Sequence, residues 1–480
     1  MSLKNKEALK DALGLFKANT FKVIYIVLIF TVVLTFTTKA NFLIKTDKAG
    51  YIDALNLLAS LLASIVATVY SITIVALQLA STQFSPRILR YFLSNNPYTQ
   101  ITLGIFLGWV VYCLLLKFWL IDAIPPEQSV VPDSMKPILN LGIYGCICLI
   151  GVVLPHFIVT IAESINAASI TRKITLHTLH EVQIAQKTWQ HQEETKERPQ
   201  HTNKIAIKSE NFGYLRSLNI EKLRKIANQY PQIDFIEQIN DVGSFIQKDV
   251  EIAYIALNAP IPEIKKIENQ IRKQFDIGKF RSYRQDIHFG LRQLVDIALK
   301  AISPAVNDPT TAINCLDYLG EIIREIMEAG MPSVGFTKWK GEKVYLNEAS
   351  FDRVVNQAFD QIYHYGKNDF AVTARLIDTI RKVIPFALKI NYLDVFADEI
   401  LEVGLDFSYQ YQNGNLKHVH SQEQLMRIFK ITLKTIQTLE EQYRHLDKND
   451  YEGKEKLQSL RNKCLKNIEE IKKIGDDMTL

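Results

Sequence analysis

The chain has 480 residues, a formal net charge of +5 and a mean hydropathy of +0.00. This length leaves room for more than one folded unit, whereas so small a net charge singles out no class of partner. The five cysteines have neither the spacing of a disulfide framework nor that of a zinc site, which excludes both as organising features of the fold.

Four apolar segments occupy the first third of the chain, at about residues 21–38, 52–80, 101–121 and 138–161. A helix needs about 20 apolar residues to cross a hydrocarbon core of roughly 30 Å, and each segment is near or above that length. We therefore predict a polytopic α-helical membrane domain with four spans over residues 1–161. The mean hydropathy of zero is an average over this domain and a more polar remainder.

Basic residues near the predicted spans indicate the topology. Several lysines precede the first span, which predicts a cytoplasmic N-terminus, and four spans return the C-terminus to the same side. Arg87 and Arg90 between the second and third spans fit this orientation, whereas Lys39, Lys45 and Lys48 are exceptions because it places them outside. We predict a multi-pass membrane protein with both termini in the cytoplasm.

The second predicted span carries a polar stripe on one face. At about 100° per residue its polar side chains fall within an arc of roughly 120°, interrupted by Ile74. The stripe consists of Asn56, Ser60, Ser64, Thr68, Ser71, Gln78 and Thr82.

Two interpretations of this stripe remain open. Ala59, Ala63 and Ala67 accompany it at the spacing that lets membrane helices approach closely, which favours helix packing. Alternatively, the hydroxyl and amide groups line a pathway for ions, and one stripe per chain then requires a homo-oligomer around a central axis. Arg87 and Arg90 would lie at the inner mouth of such a pathway or contact lipid headgroups.

The fourth predicted span contains a proline, and the helix predicted to follow it carries ionisable side chains but no complete metal site. Pro155 is expected to bend the fourth span. His177, His180 and Glu181 share one face of a predicted helix, but nothing supplies the rest of a coordination shell, so we predict no metal.

The remainder of the chain divides into four segments by pattern. We predict a helical extension and polar linker over residues 162–203, and a small mixed β domain over 204–262. A helical region over 263–345 and a helical bundle over 346–480 follow. These segments predict a cytoplasmic α+β region followed by a helical bundle. The charge runs of the bundle are mixed in sign, which disfavours nucleic acid as a partner.

The densest cluster of charged and special residues lies in the predicted helical region. We assign it a regulatory or subunit-contact role, as a set of buried ion pairs or as a site for a ligand or ion. Asp308 is placed to cap a helix that starts at Pro309 and ends before Gly330. The cluster consists of Arg281, Asp286, His288, Arg292, Asp296, Asn307 and Asp308.

Acids and a histidine are also the materials of catalysis, but no nucleophile elbow, phosphate loop or metal spacing surrounds them. We therefore predict no enzyme and no cofactor.

Four short motifs make the chain resemble a bacterial family of predicted inner-membrane proteins known only as a domain of unknown function. They are Gln83-Phe84-Ser85-Pro86-Arg87, Phe212-Gly213-Tyr214, Gln285-Asp286-Ile287-His288-Phe289-Gly290 and Ser303-Pro304-Ala305-Val306-Asn307-Asp308-Pro309-Thr310. The likeness extends from the first span to about Leu319. The resemblance implies a membrane topology and nothing about chemistry.

Together these features predict a homo-oligomeric inner-membrane ion channel with a cytoplasmic vestibule or regulatory domain. The alternative is a non-conducting membrane-anchored sensor or scaffold whose cytoplasmic domain binds a ligand or partner. The expected partners are other copies of the chain, membrane lipid and small ions.

Overall fold

A computed structural model describes residues 47–83, 97–195, 198–199, 203–333, 335–416, 420–446, 448, 451 and 453–477. Contacts divide them into two compact units, with the boundary after Asn166. Unit 1 contains residues 47–82 and 97–166, and unit 2 contains residues 167–477 together with Gln83.

Unit 1 consists of long apolar helices. Helix α1 spans Lys48–Gln83, α2 spans Pro97–Ala123 and α3 spans Lys136–Cys148. A π-helical turn, Leu149–Val153, joins α3 to α4, Leu154–Ile165.

Three segments of these helices are long and apolar enough to cross a membrane: Lys48–Val75, Ile101–Ala123 and Lys136–Thr160. They correspond to the second, third and fourth predicted spans. The first predicted span, residues 21–38, lies outside the described residues, so four spans are not confirmed.

Small residues let the helices of unit 1 approach one another closely. A Cβ atom on Gly145 would lie 1.9 Å from the Trp109 ring, and one on Gly142 would lie 2.7 Å from Leu116. The indole Nε1 of Trp109 donates a hydrogen bond to the carbonyl oxygen of Gly142 at 3.0 Å. Packing through small residues is typical of membrane helices, where apolar burial alone does not drive association.

The π-helical turn is where the last candidate span departs from regular α geometry. The N–H of Leu154 bonds to the carbonyl of Leu149, five residues earlier, and Pro155 follows directly. Because proline lacks an N–H group and crowds the preceding turn, a widened turn at this point accommodates it.

Lys48, an exception in the topology prediction, forms hydrogen bonds with backbone carbonyl groups at the end of α2. Its Nζ donates to the carbonyl oxygens of Ile121 and Ile124 at the end of α2, at 3.4 and 2.5 Å. A basic side chain at the C-terminal end of a helix satisfies carbonyls that have no partner in the helix.

Unit 2 begins with α5, Ala167–Trp189, and contains two sheets. The larger sheet has strand order β1-β8-β9-β4-β6-β2, with β4 and β9 parallel and the other neighbours antiparallel. The smaller sheet has the order β5-β3-β7. The strands are β1 Gln192–Glu194, β2 Lys204–Lys208, β3 Gly213–Leu218, β4 Ile233–Gln238, β5 Phe245–Ile246, β6 Glu251–Leu257, β7 Phe275–Gly278, β8 Phe336–Trp339 and β9 Val344–Asn347.

Helices α6, Ile220–Gln229, and α7, Ile264–Arg272, contribute apolar side chains to the core of these sheets. The remaining helices are α8 Ile287–Ala301, α9 Pro309–Glu328, α10 Phe351–Gly366, α11 Phe370–Val383, α12 Ile390–Gln412, α13 Gln422–His445 and α14 Lys454–Asp477. A soluble α+β region followed by helices is thus present, as predicted.

The two sheets draw on more of the chain than the predicted β segment, residues 204–262. Strand β1 lies in the segment predicted as extension and linker, β7 and β8 lie in the region predicted to be helical, and β9 crosses from that region into the predicted bundle. Each of these four strands has only three or four residues, which is too few to establish a period of two in the sequence. Pairing with β4 and β8 holds β9 and β1 in the larger sheet.

Candidate functional site

The polar stripe of the second predicted span lies on α1, and its side chains point away from the packed face of the helix. Ser60, Ser64, Thr68, Ser71 and Gln78 are exposed, and Asn56 is partly buried. Thr82 belongs to the last turn of α1, but its side chain is outside the described part.

The buried side chains of α1 lie on the opposite face and are almost all apolar. They are Tyr51, Leu55, Ala59, Leu62, Val66 and Val69. At about 100° per residue, the centre of this face is roughly 160° from the centre of the polar stripe. Packing among the described residues of unit 1 therefore accounts for the apolar face of α1, and none of those residues covers its polar face.

The stripe has a mixed chemical character. Leu57, Ile74 and Val75 lie within its arc and are exposed. Two hydroxyl groups bond to carbonyls one turn earlier: Ser60 Oγ to Asn56 O at 2.7 Å, and Thr68 Oγ1 to Ser64 O at 2.9 Å. Such hydroxyls retain lone pairs that can accept a further bond. Arg87 and Arg90 lie outside the described residues.

The predicted cluster in unit 2 separates into two groups at the two ends of α8. Arg281, Asp286 and His288 lie at its N-terminal end, whereas Asn307 and Asp308 follow its C-terminal end. A helix of 15 residues is about 22 Å long, so the two groups cannot form one site.

Asp286 is the centre of the first group. Its carboxylate accepts bonds from Arg281 Nε at 2.8 Å and Arg281 Nη2 at 2.7 Å, and it caps α8 by accepting from the N–H of Phe289 at 2.9 Å. The side chain is 2 % exposed. Burial raises the pKa of Asp286, and the bonds from Arg281 oppose that shift.

His288 and Arg292 attach α8 to α10 at two points four residues apart. His288 Nδ1 lies 2.6 Å from Gln357 Oε1, and Arg292 Nη1 donates to Gln361 Oε1 at 2.8 Å. Arg292 also forms the predicted intrahelical ion pair with Asp296, at 2.8 Å. Burial lowers the pKa of His288, which favours its neutral form.

Asp308 caps α9 as predicted. Its Oδ1 accepts from the N–H of Thr311 at 3.1 Å, Pro309 occupies the first helical position, and Gly330 follows the helix with φ of +79°. Asn307, exposed in the preceding turn, has φ of +50°. The structure assigns this second group a role in shaping the turn between α8 and α9.

A cavity of about 120 Å³ adjoins the first group. Helix α5, the segments after β4 and β9, and the start of α8 line it. The sequence had not marked Asp241 or Glu348, two of its acids, because the lining comes from distant parts of the chain. Trp189 and Glu348, which are hydrogen-bonded at 3.0 Å, are 159 residues apart in the sequence.

The two histidines of α5 contact other side chains of unit 2. His180 Nδ1 lies 3.8 Å from Glu181 Oε1, and the ring of His177 stacks on Tyr283. Among the described residues, no three histidine, cysteine, aspartate or glutamate side chains are grouped to hold a metal ion.

Comparison with known proteins identifies the family. The protein-family model described as "Predicted membrane protein (DUF2254)" matches residues 18–382 of the chain. The chain belongs to this family. The match confirms the resemblance predicted from the four motifs and extends it beyond Leu319 into α11.

The curated relatives that the chain matches are uncharacterized proteins, so they indicate no activity for the family. The chain is 27 % identical over 342 residues to an uncharacterized protein of Mycobacterium bovis and, equally, to one of Mycobacterium tuberculosis strain H37Rv. In both cases the alignment covers 69 % of this chain and 64 % of the relative, which is just under two thirds of that protein. No solved structure matches the chain.

Two glycines in the family motifs allow close packing. A Cβ atom on Gly213 would lie 2.5 Å from the carbonyl oxygen of Gly278 in β7, and one on Gly290 would lie 1.9 Å from Thr178 Oγ1 of α5. The motif Gln285–Gly290 therefore combines a helix cap, four cavity-lining residues and a helix-crossing point.

Proposed function

We propose that this membrane protein is a homo-oligomeric ion channel of the bacterial inner membrane, with α1 lining the pathway. The observation that carries the proposal is the orientation of α1, whose apolar face is buried in unit 1 and whose polar face is exposed. Lipid favours the reverse arrangement, because apolar side chains lose nothing on contact with hydrocarbon and polar ones do.

Other copies of the chain are the partners that would cover this face. Ala63 and Ala67 are exposed beside Ser60, Ser64 and Thr68, so the face combines small side chains with hydroxyl groups. Small residues permit close helix contacts, and hydroxyl groups around an axis can replace part of the hydration shell of an ion. In this proposal both termini are cytoplasmic, and unit 2 forms a vestibule or regulatory domain.

Ion flux from liposomes containing the purified protein tests the proposal. Potassium and chloride gradients are applied separately to the wild type and to the double variant Ser64→Leu/Thr68→Leu. We expect flux for one of the two ions, and we expect the double variant to abolish it while the oligomer elutes unchanged from a sizing column. Ile72→Phe, which adds bulk at an exposed position outside the stripe, is the matched control and should conduct normally.

Two results would contradict this assignment: no flux under either gradient from an intact oligomer, or normal flux from an intact double variant. An oligomer that dissociates in the double variant would instead support helix packing as the role of the stripe.

The second candidate is a non-conducting membrane-anchored sensor or scaffold, and the cavity in unit 2 is the observation that favours it. We do not propose an enzyme. Asp286 and His288 are an acid and a base that both line this cavity, and they already serve as helix cap and helix contact.

A further inference from the structure

Helices α11 and α13, with one residue of α9, line an open groove in unit 2 that is strongly positive. Its volume is about 610 Å³, within the usual range for sites that bind small molecules. Five of the lining side chains are cationic and one is acidic, so the lining carries a net formal charge of +4. The cations are Arg375, Arg381, Arg427, Lys430 and Lys434, and the acid is Asp378. We call this site the basic groove, and its charge favours an anionic occupant.

Three of the cations lie on α13 and have no acid to neutralise them. Arg427, Lys430 and Lys434 are exposed, and their spacing of three and four residues places them on one face of the helix. None of the three forms an ion pair with a carboxylate of the described residues. Because like charges at this spacing repel one another, a bound anion would relieve that repulsion.

The two guanidinium groups on α11 are instead positioned by ion pairs. Arg381 donates to Asp378 Oδ1 from Nε at 3.0 Å and from Nη2 at 2.6 Å. Arg375 Nε lies 3.4 Å from Asp317 Oδ1, and its Nη1 lies 4.0 Å from Asp378 Oδ2. Lys382, outside the groove lining, also pairs with Asp378 at 2.8 Å. Asp378 is therefore fully compensated, and each guanidinium keeps N–H donors for a further acceptor.

The groove also has an apolar floor. Its members are Ile313 of α9, Phe370, Ala371 and Ala374 of α11, and Ile431 of α13. The guanidinium carbon of Arg427 lies 5.6 Å from the centre of the Phe370 ring. This cation–π contact places the charged end of Arg427 beside the floor, so the apolar and the cationic parts of the groove adjoin.

We propose that the basic groove binds a nucleotide. The phosphate groups would accept hydrogen bonds from the arginine and lysine side chains, among which a guanidinium offers two parallel donors to one phosphate. The base would pack on the apolar floor beside Phe370. A phosphate ion would use only the cations and a nucleoside mainly the floor, whereas a nucleotide uses both.

Isothermal titration calorimetry on the full-length protein in detergent tests this site without any measurement of flux. ATP, ADP and AMP are titrated as sodium salts, and sodium phosphate and adenosine at equal ionic strength are the references. We expect saturable binding of at least one nucleotide. Phosphate and adenosine should bind at least about tenfold more weakly, because each makes only part of the contacts.

A double variant locates the binding. Lys430→Gln/Lys434→Gln removes two exposed charges that pair with no described carboxylate, so it should fold normally and weaken nucleotide binding about tenfold or more. Lys222→Gln/Lys225→Gln removes the same charge from exposed positions of α6 and is the matched control, which should bind as the wild type does. Should the first variant fail to fold, Arg427→Gln carries the same expectation.

The proposal would be overturned by the lack of saturable binding for all three nucleotides, or by phosphate binding as tightly as they do. An affinity that the folded groove variant leaves unaltered, or that the control lowers equally, would also overturn it. Saturable binding of phosphatidylglycerol added to the micelles, with no nucleotide bound, would assign the groove to lipid headgroups instead. Because binding is measured in detergent and concerns unit 2 alone, its failure is distinguishable from a failure of the channel proposal.

Discussion

At the scale of single residues, Glu399 is the acid whose environment has the clearest measurable consequence. It lies on α12, is 5 % exposed and is close to Asp360 and Glu402. Burial, together with the two neighbouring acids, raises the pKa of Glu399 to about 9, and burial is the largest cause. The side chain is therefore protonated at neutral pH and can share its proton with Asp360.

This protonation predicts a pH dependence of stability. Below the usual glutamate pKa of about 4.3, Glu399 is protonated in both states and its contribution is complete. As the pH rises toward 9, only the unfolded chain loses the proton, so stability falls by up to about 1.4 kcal/mol per pH unit. Glu399→Gln cannot ionise, and its Tm should fall less steeply between pH 5 and 9.

Thermal unfolding of the full-length protein at several pH values provides this comparison. Glu469→Gln, which changes an exposed acid on α14, is the control and should follow the wild type. A Glu399→Gln profile parallel to that of the wild type would show that Glu399 titrates normally in the folded state.

The role of a residue could be predicted from the sequence where that role depends on adjacent residues, but not where it depends on contacts with distant segments. Asp308, Pro309 and Gly330 have roles that depend on a few adjacent residues, and all three occupy the predicted positions. The partners of His288 and Glu348 come from segments 69 and 156 or more residues away, and no spacing rule connects them. For the same reason, residues grouped by sequence proximity proved to lie at both ends of α8.

At the scale of elements, the crossing of α5 and α8 determines how the first helix of unit 2 is held. Gly290 packs directly on Thr178, with no room for a Cβ atom. Gly290→Ala should therefore destabilise the protein by about 1–3 kcal/mol, because the two helices must separate or Thr178 must leave its rotamer.

A double-mutant cycle separates this steric effect from the helix propensity of alanine. Thr178→Ala removes the nearest atom, so the combination with Gly290→Ala should recover part of the lost stability. Strictly additive losses in denaturant unfolding would contradict the contact between these two positions.

Secondary-structure elements could be predicted from the sequence where their apolar pattern extends over enough residues. The mixed β domain predicted over residues 204–262 contains strands β2, β3, β4 and β6 and helix α6, which have five to ten residues each, enough to establish a period. Strand β1, with the sequence Gln-Glu-Glu, has no apolar residue, and it is a strand because it pairs with β8. Tertiary pairing of this kind has no signal in the local sequence.

At the scale of the whole molecule, the arrangement of α1 is the feature on which the proposed function depends. Its 36 residues are about 54 Å long, which is more than a bilayer core requires, so its ends extend into headgroups or water. The sequence predicted the polar stripe, but its exposure depends on which face packs on α2 and α3. The periodicity of α1 alone could not decide between the two interpretations.

Accessibility of cysteines placed along α1 tests this central claim most directly. Single cysteines at Ser60, Ser64, Thr68 and Ser71, and at the exposed Leu61 and Ile72 outside the stripe, are introduced after the five native cysteines are replaced. Each variant in liposomes is treated with a membrane-impermeant, water-soluble thiol reagent. We predict modification at the four stripe positions and protection at Leu61 and Ile72. Equal protection at all six positions would show that the stripe faces lipid or protein instead of water, and would contradict a pathway lined by α1.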